Sequence, residues 1–133
     1  MQVVVFKVNE EQFAVEAAKV QSINDMMEIT KVPKSAQYIK GLINLRGTII
    51  SLLDINLLLH IEKSEGSQEN IIILNLQDES VGVTVDQVDE VLEIEEDLVE
   101  KVETDRNKAY IKGVINFKDR IITLIDIAKL IEN

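Results

Sequence analysis

The chain has 133 residues, of which 46% are apolar and 4% aromatic, with no Cys or Trp and a formal net charge of -10. That length suits one compact unit, or two very small ones sharing a core, and the missing Cys excludes a disulfide scaffold and thiolate metal sites. The charge is uneven: residues 1–66 carry near-balanced charge, and the excess acid lies in the second half, densest from Asp86 to Asp105, so no cluster of Lys and Arg is available to follow a nucleic-acid backbone.

The opening MQVVVFKVNEEQF turns acidic too soon for a signal peptide. No apolar run approaches the ~18–20 residues of a membrane helix. Both features point to a soluble, cytoplasmic chain. VVVFKV reads as a strand, NEEQ as a turn and FAVEAA as a second strand, with β-branched residues suited to a pleated surface. KVQSINDMMEITKVP alternates imperfectly and closes at Pro33, which cannot donate to a ladder. GLINL and TIISLLDI follow, separated by Arg46-Gly47, a hairpin signal because primed turns need positive φ. Asp54 stands where the N-cap of a short helix belongs, ahead of INLLLH. HIEKSEGSQEN, polar with Gly and Ser, reads as a linker.

Beyond the linker the chain repeats itself. ILNLQDESVGVTVDQVDEV (Ile73 to Val91) lies without a gap over VFKVNEEQFAVEAAKVQSI (Val5 to Ile23). Val5, Val8, Phe13, Val15, Val20 and Ile23 meet Ile73, Leu76, Val81, Val83, Val88 and Val91. YIKGVINFKDRIITLIDIAKLI (Tyr110 to Ile131) then repeats YIKGLINLRGTIISLLDINLLL (Tyr38 to Leu59), with Lys118-Asp119 at the hairpin and Asp126 at the second cap. The approximate copies are residues 1–62 and 70–133 of one domain spanning 1–133. Two copies indicate duplication of a small domain, since a solenoid needs three or more. Each copy holds about five short strands and a helical turn, and two such barrels leaning on each other are expected to share an apolar region with a groove where they meet. Ile43, Ile49, Ile50, Leu52, Ile115, Ile121, Ile122 and Leu124 are expected in the core in part, because alternation turns some outward.

No catalytic constellation can be read. His60, the single His, ends an apolar run and fits a helix end. EIEEDLVE lacks the Gly and alternating ligands of a calcium loop, and the glycines form no phosphate-cradling loop. No metal or cofactor is expected. A small acid–base enzyme using paired carboxylates is the reading from another class.

With these blocks in view, the chain resembles the CheW family of bacterial chemotaxis coupling proteins. VPKSAQYIKGLINLRGTIISLLDI carries most of the likeness, through Val32-Pro33, Gly41, Asn44-Leu45-Arg46-Gly47 and Asp54. VGVTVDQVDEVLEI and RIITLIDIAKLI add to it. The resemblance implies a mainly β fold of two pseudo-symmetric five-stranded SH3-like barrels packed around a shared apolar region. It implies a non-catalytic adaptor without cofactors. Its partners would be the regulatory domain of the histidine kinase CheA and the cytoplasmic tip of a methyl-accepting chemotaxis receptor, in arrays at the inner membrane face. An alternative in the same fold is a CheW-like regulatory module of a larger signalling protein. By resemblance, Val20, Val91, Gly41 and Arg46 face the receptor, with Val20 and Val91 approximately equivalent across the repeat. Ile39, Lys40, Leu42 and Leu45 of the first copy are expected at the kinase contact, with the three apolar members exposed. Ser22 stands where many relatives carry an acid, and Ser51 where many carry Pro. If that acid normally pairs with the arginine, Arg46 must find another partner or stay free. Independently of the family, Leu45-Arg46-Gly47-Thr48 differs from Phe117-Lys118-Asp119-Arg120 inside an otherwise similar block, which marks the first hairpin tip as a candidate for a task of its own.

Overall fold

A computed structural model describes residues 1–33, 35–62, 68–102 and 108–132. Residues 63–67 of the expected linker, and the last part of the acidic run from residue 103 on, lie outside them. The described chain runs β1 (Gln2–Val8), β2 (Glu11–Glu16), β3 (Val20–Asp25), β4 (Ile39–Leu45), β5 (Thr48–Asp54), α1 (Ile55–Leu59), β6 (Asn70–Leu76), β7 (Glu79–Val85), β8 (Gln87–Glu93), β9 (Val99–Glu100), β10 (Ile111–Phe117), β11 (Arg120–Ile125) and α2 (Ile127–Glu132). Four antiparallel hairpins, β1–β2, β4–β5, β6–β7 and β10–β11, carry most of the pairing. Each turns on two residues of positive φ: Asn9 and Glu10, Arg46 and Gly47, Gln77 and Asp78, Lys118 and Asp119. That is the conformation whose twist matches the flanking strands. Only Gly47 is a glycine, so the other turns hold L-residues in the left-handed region against its steric cost. At the Arg46-Gly47 turn the Gly47 N–H donates to Asn44 Oδ1 at 2.8 Å.

The hairpins assemble into two sheets, ordered β8-β1-β2-β11-β10-β9 and β3-β6-β7-β5-β4. Neither sheet is built from one sequence copy. The first hairpin, β1–β2, lies in the sheet of β8 to β11, while its repeat, β6–β7, lies in the sheet of β3 to β5. The expectation that each copy folds its own barrel is therefore corrected: the copies exchange their leading hairpins. The exchange is reciprocal down to register. Leu53 pairs with Val83 in parallel, as Leu124 pairs with Ala14 one residue before the related position. Bulges recur at related places, between Val20 and Ser22 and between Val88 and Glu90, and again between Ile39 and Gly41 and between Ile111 and Gly113. The crossover segments Ala17–Lys19 and Glu96–Leu98 are short 3-10 turns.

Because both faces of the exchanged strands are covered, their residues are buried without the usual polar alternation. Val3 and Val5 join Ala14, Ile94, Ile115, Ile122 and Leu124 inside one sheet. Their repeats Ile71 and Ile73 join Ile43, Ile50 and Leu52 inside the other. The alternate residues Val4, Phe6 and Val8, with Ile72 and Leu74, face a third, larger cluster between the sheets, completed by Leu53, Ile55, Ile125 and Ile127 among others. This is the expected shared apolar region. Leu92 of β8 and Val99 of β9 pack on the same inner cluster from opposite sheet edges, so the sheet rolls around its core without hydrogen-bonded closure. Six of the eight predicted core residues are buried. Ile49 and Ile121 are 60% and 65% exposed, both on the outward side of related hairpins.

Asp54 caps α1 as the sequence predicts, its Oδ1 accepting from the Asn56 N–H at 3.0 Å and the Leu57 N–H at 3.4 Å. Asp126 Oδ1 accepts from the Lys129 N–H at 3.4 Å. His60 ends α1 in the left-handed conformation. Gly41 and Gly113 are fixed by close approach. A Cβ on Gly41 would collide with the Thr30 carbonyl oxygen, and one on Gly113 would lie 2.7 Å from the Glu100 carbonyl oxygen. The Thr30–Leu42 bridge and the pairing of β9 with β10 are the two versions of this crossing.

Candidate docking surfaces

The strands β3 and β8 are edges of opposite sheets. Each pairs inward with the strand that feeds the central cluster, β6 or β1. Side chains directly across a ladder share a face. Val20 pairs with Leu74, Ile23 with Ile72, Val88 with Phe6 and Val91 with Val4, and all four partners belong to the central cluster. Val20 and Val88 are half-buried against that cluster. Ile23 and Val91 continue it outward, 41% and 53% exposed. Asn70 Oδ1 accepts from the Val88 N–H at 2.9 Å and ties the start of β6 to the start of β8. The result is an apolar strip along the seam between the sheets, with the exposed acids Asp25 and Glu93 two residues beyond Ile23 and Val91 on the same strands.

The register sets Val20 level with Val88, and Ile23 level with Val91. The approximate equivalence of Val20 and Val91 is thus corrected to two separate pairs. Ile23 was not singled out as a surface residue from sequence, although its alignment with Val91 was the available signal.

The other residues expected at the receptor surface lie elsewhere. Gly41 is buried and contributes backbone alone. Arg46 is exposed at the β4–β5 turn and makes no ion pair with any described residue. Ser22 Oγ instead accepts from Asn24 Nδ2 at 2.9 Å. An acid–arginine clasp does occur in the other copy. Glu90, the repeat of Ser22, binds Arg120, the repeat of Thr48, through two hydrogen bonds of 3.2 and 2.9 Å. The Arg120 bond holds the Glu90 carboxyl below its ordinary value, with desolvation pulling the other way. Arg120 and Lys118 also lie over the Phe117 ring, at 5.5 and 5.3 Å.

Of the positions expected at the kinase contact, Ile39, Leu42 and Leu45 are half-buried rather than exposed. Ile39 packs on the central cluster and Leu45 on the core of its own sheet. Leu42 pairs with Ser51 on the outer face of the β4–β5 hairpin, where Ile49 pairs with Asn44 and is the most exposed large apolar side chain of that hairpin. Lys40, at the bulge, donates to Gln68 Oε1 at 2.6 Å. No group of three or more His, Cys, Asp or Glu among the described residues is placed to hold a metal ion.

The CheW-like domain model matches residues 2–133, nearly the whole chain. The chain belongs to the CheW family. It is similar to the chemotaxis protein CheW of Thermotoga maritima, 33% identical over 98% of this chain and 87% of that one. It is also similar to the chemotaxis protein CheW of Bacillus subtilis, 31% identical over 92% of this chain and 81% of that one. Among solved structures, the scaffolding protein TtCheW of Thermoanaerobacter tengcongensis superposes with a TM-score of 0.89 at 31% identity, over 97% of this chain and 86% of that chain. The mainly β fold expected from sequence as two SH3-like barrels, here two sheets that are not closed, is thereby shared with a known scaffold. No described helix is long and apolar enough to cross a membrane.

Proposed function

We propose that this CheW-family chain is a non-catalytic adaptor that couples methyl-accepting chemotaxis receptors to the regulatory domain of the histidine kinase CheA. It would work in the cytoplasm, within arrays at the inner membrane face. The observation that carries the reading is the apolar strip at the seam, where Ile23 and Val91 extend the central cluster into solvent beside Val20 and Val88. An apolar groove with a polar rim suits the apolar face of a receptor helix. Arg46 would lie at the margin of the receptor surface as a free cation, and Gly41 would act through the backbone geometry it permits. The kinase contact is assigned to the outer face of the β4–β5 hairpin, with Leu42 at its centre, Ile39 and Leu45 supporting it and Lys40 beside it. The relatives bear the adaptor's name over 81–87% of their own lengths, which supports the stand-alone adaptor over a module of a larger protein.

The test is calorimetric titration of purified protein with a receptor-tip fragment and, separately, with the kinase regulatory domain. Val91→Asp sets a charge against an apolar helix face and is expected to weaken receptor binding at least tenfold, about 1.4 kcal/mol, while kinase-domain binding is kept. Leu42→Arg is expected to do the reverse. Receptor affinity unchanged by Val91→Asp would refute the seam assignment.

A further inference from the structure

The reciprocal exchange of hairpins gives the seam two related flanks. One is lined by Val15, Leu74, Ile125 and Ile127, with Leu76, Glu16, Lys19, Lys112 and Asp126 around its mouth, and is an open cleft of about 180 Å³. The related flank has Val83, Phe6, Leu53 and Ile55, with Val8, Thr84, Lys40 and Asp54 in the places of the mouth residues, and three of those four are buried. Val8 and Thr84 are fully buried and Asp54 is 2% exposed, whereas their counterparts Leu76, Glu16 and Asp126 are half-buried.

The segment entering β6 is tied to this second flank by hydrogen bonds. Gln68 Oε1 accepts from Lys40 Nζ at 2.6 Å, and Gln68 Nε2 donates to Asn56 Oδ1 at 2.8 Å. Asn56, itself 1% exposed, donates from Nδ2 to the Glu62 carbonyl oxygen at 3.1 Å. The next residue is held by its backbone, with the Glu69 N–H donating to the Asp86 carbonyl at 3.0 Å. Gln68 thus bridges Lys40 and Asn56 at the edge of this flank. On the open flank the lysine is present as Lys112, bound at 2.9 Å by Glu16. The residue related to Asn56 is Ala128, which has no polar side-chain group to pair with a glutamine.

We infer that the open cleft beside Lys112 is a docking site for an extended peptide segment that presents a glutamine side chain. The molecule's own Gln68 on Lys40 is the template for the contact. The volume admits a medium-sized side chain and the chain that carries it, but not a helix, whose diameter is about 10–12 Å. The mouth selects an amide over a carboxylate. Lys112 supplies a donor for the amide oxygen, while Glu16 and Asp126 accept from its NH2 group and would repel an acid. Apolar residues flanking the glutamine would cover the floor of Val15, Leu74, Ile125 and Ile127. This inference stands apart from the receptor and kinase assignments, which use the β3–β8 strip and the β4–β5 hairpin.

The experiment is an NMR titration of the isotope-labelled full chain with a capped synthetic peptide of sequence GSQENII, which copies residues 66–72. Backbone signals of Glu16, Leu76, Lys112 and Ile127 are expected to shift together. Lys112→Ala, which alters an exposed side chain, is expected to weaken binding roughly tenfold, as is replacing the peptide's glutamine by alanine, each removing one hydrogen bond to a charged group. Ala128→Asn is expected to tighten binding by supplying the second anchor. No shifts at saturating peptide, shifts confined to the strip of Ile23 and Val91 or to the Lys40 flank, or an affinity unchanged by Lys112→Ala would each overturn the inference.

Discussion

Gly41 shows how one residue links surface and core. It sits at the bulge between β4 and β5 where the Thr30 carbonyl crosses over, and it has no room for a methyl group. Gly41→Ala is expected to cost about 1–3 kcal/mol by overpacking, read as a lower urea midpoint with unchanged slope. The same change at Gly113, where Val99 Cγ1 lies 2.6 Å from the added carbon, is expected to cost a similar amount. If Gly41→Ala lowered receptor affinity with no loss of stability, the backbone role given to Gly41 would be wrong. Sequence alone marked Gly41 as special through its repetition in the YIKG block. It could not show the crossing strand, because Thr30 and Leu42 meet through tertiary pairing and no local pattern announces that contact.

At the scale of elements, the strands and hairpins were legible, and their partners were not. The turn pairs Asn9-Glu10, Gln77-Asp78 and Lys118-Asp119 stood out as polar breaks between apolar runs, and each became a primed turn. Alternation announced that part of each apolar run would face outward but not which part: Ile50 is buried and Ile49 is 60% exposed. Which hairpin lies beside which could not be read. The parallel pairings β2 with β11 and β5 with β7 join residues far apart in the chain, and β-branched runs specify burial without naming a neighbour. Val91 was named through the family resemblance alone, and its exposure is visible only in the fold; Asn56 and Gln68 look like ordinary polar residues until their contacts with each other and with Lys40 are seen. The turns offer a separate test. Gln77 holds φ of 51° without a glycine's freedom and is exposed. Gln77→Gly should raise stability by about 0.5–1 kcal/mol, the left-handed cost net of the added flexibility of the unfolded chain. A drop in thermal midpoint would show that the Gln77 side chain contributes more than its strain.

For the whole molecule, the exchange makes the two sequence copies mutually dependent. The fragment 1–62 lacks the neighbours of its leading hairpin, since β1 needs β8 and β2 needs β11. The fragment 68–133 lacks the sheet into which β6–β7 fits. Each is expected to be unfolded alone by circular dichroism, because each leaves a face of its hairpin bare and buries too little apolar surface. An equimolar mixture is expected to recover the native β spectrum. A fragment that folds alone with a cooperative melt would show that one sheet can be completed without exchange.

Synthesis from the N-terminus gives that dependence a direction in time. The leading hairpin emerges before the other strands of this domain, carrying Val3 to Phe6, Val8 and Phe13 to Val15, all of which end up buried. Its flanking strands follow much later in the chain, β8 from Gln87 to Glu93 and β11 from Arg120 to Ile125. Until β8 and then β11 have been made, that greasy ribbon has no permanent neighbour, and pairings between distant segments form slowly. The nascent protein thus passes through a long interval with two open β edges and an uncovered face, the condition in which chains stick to one another. A hairpin that feeds two of the core clusters is therefore also the segment that waits longest for its neighbours.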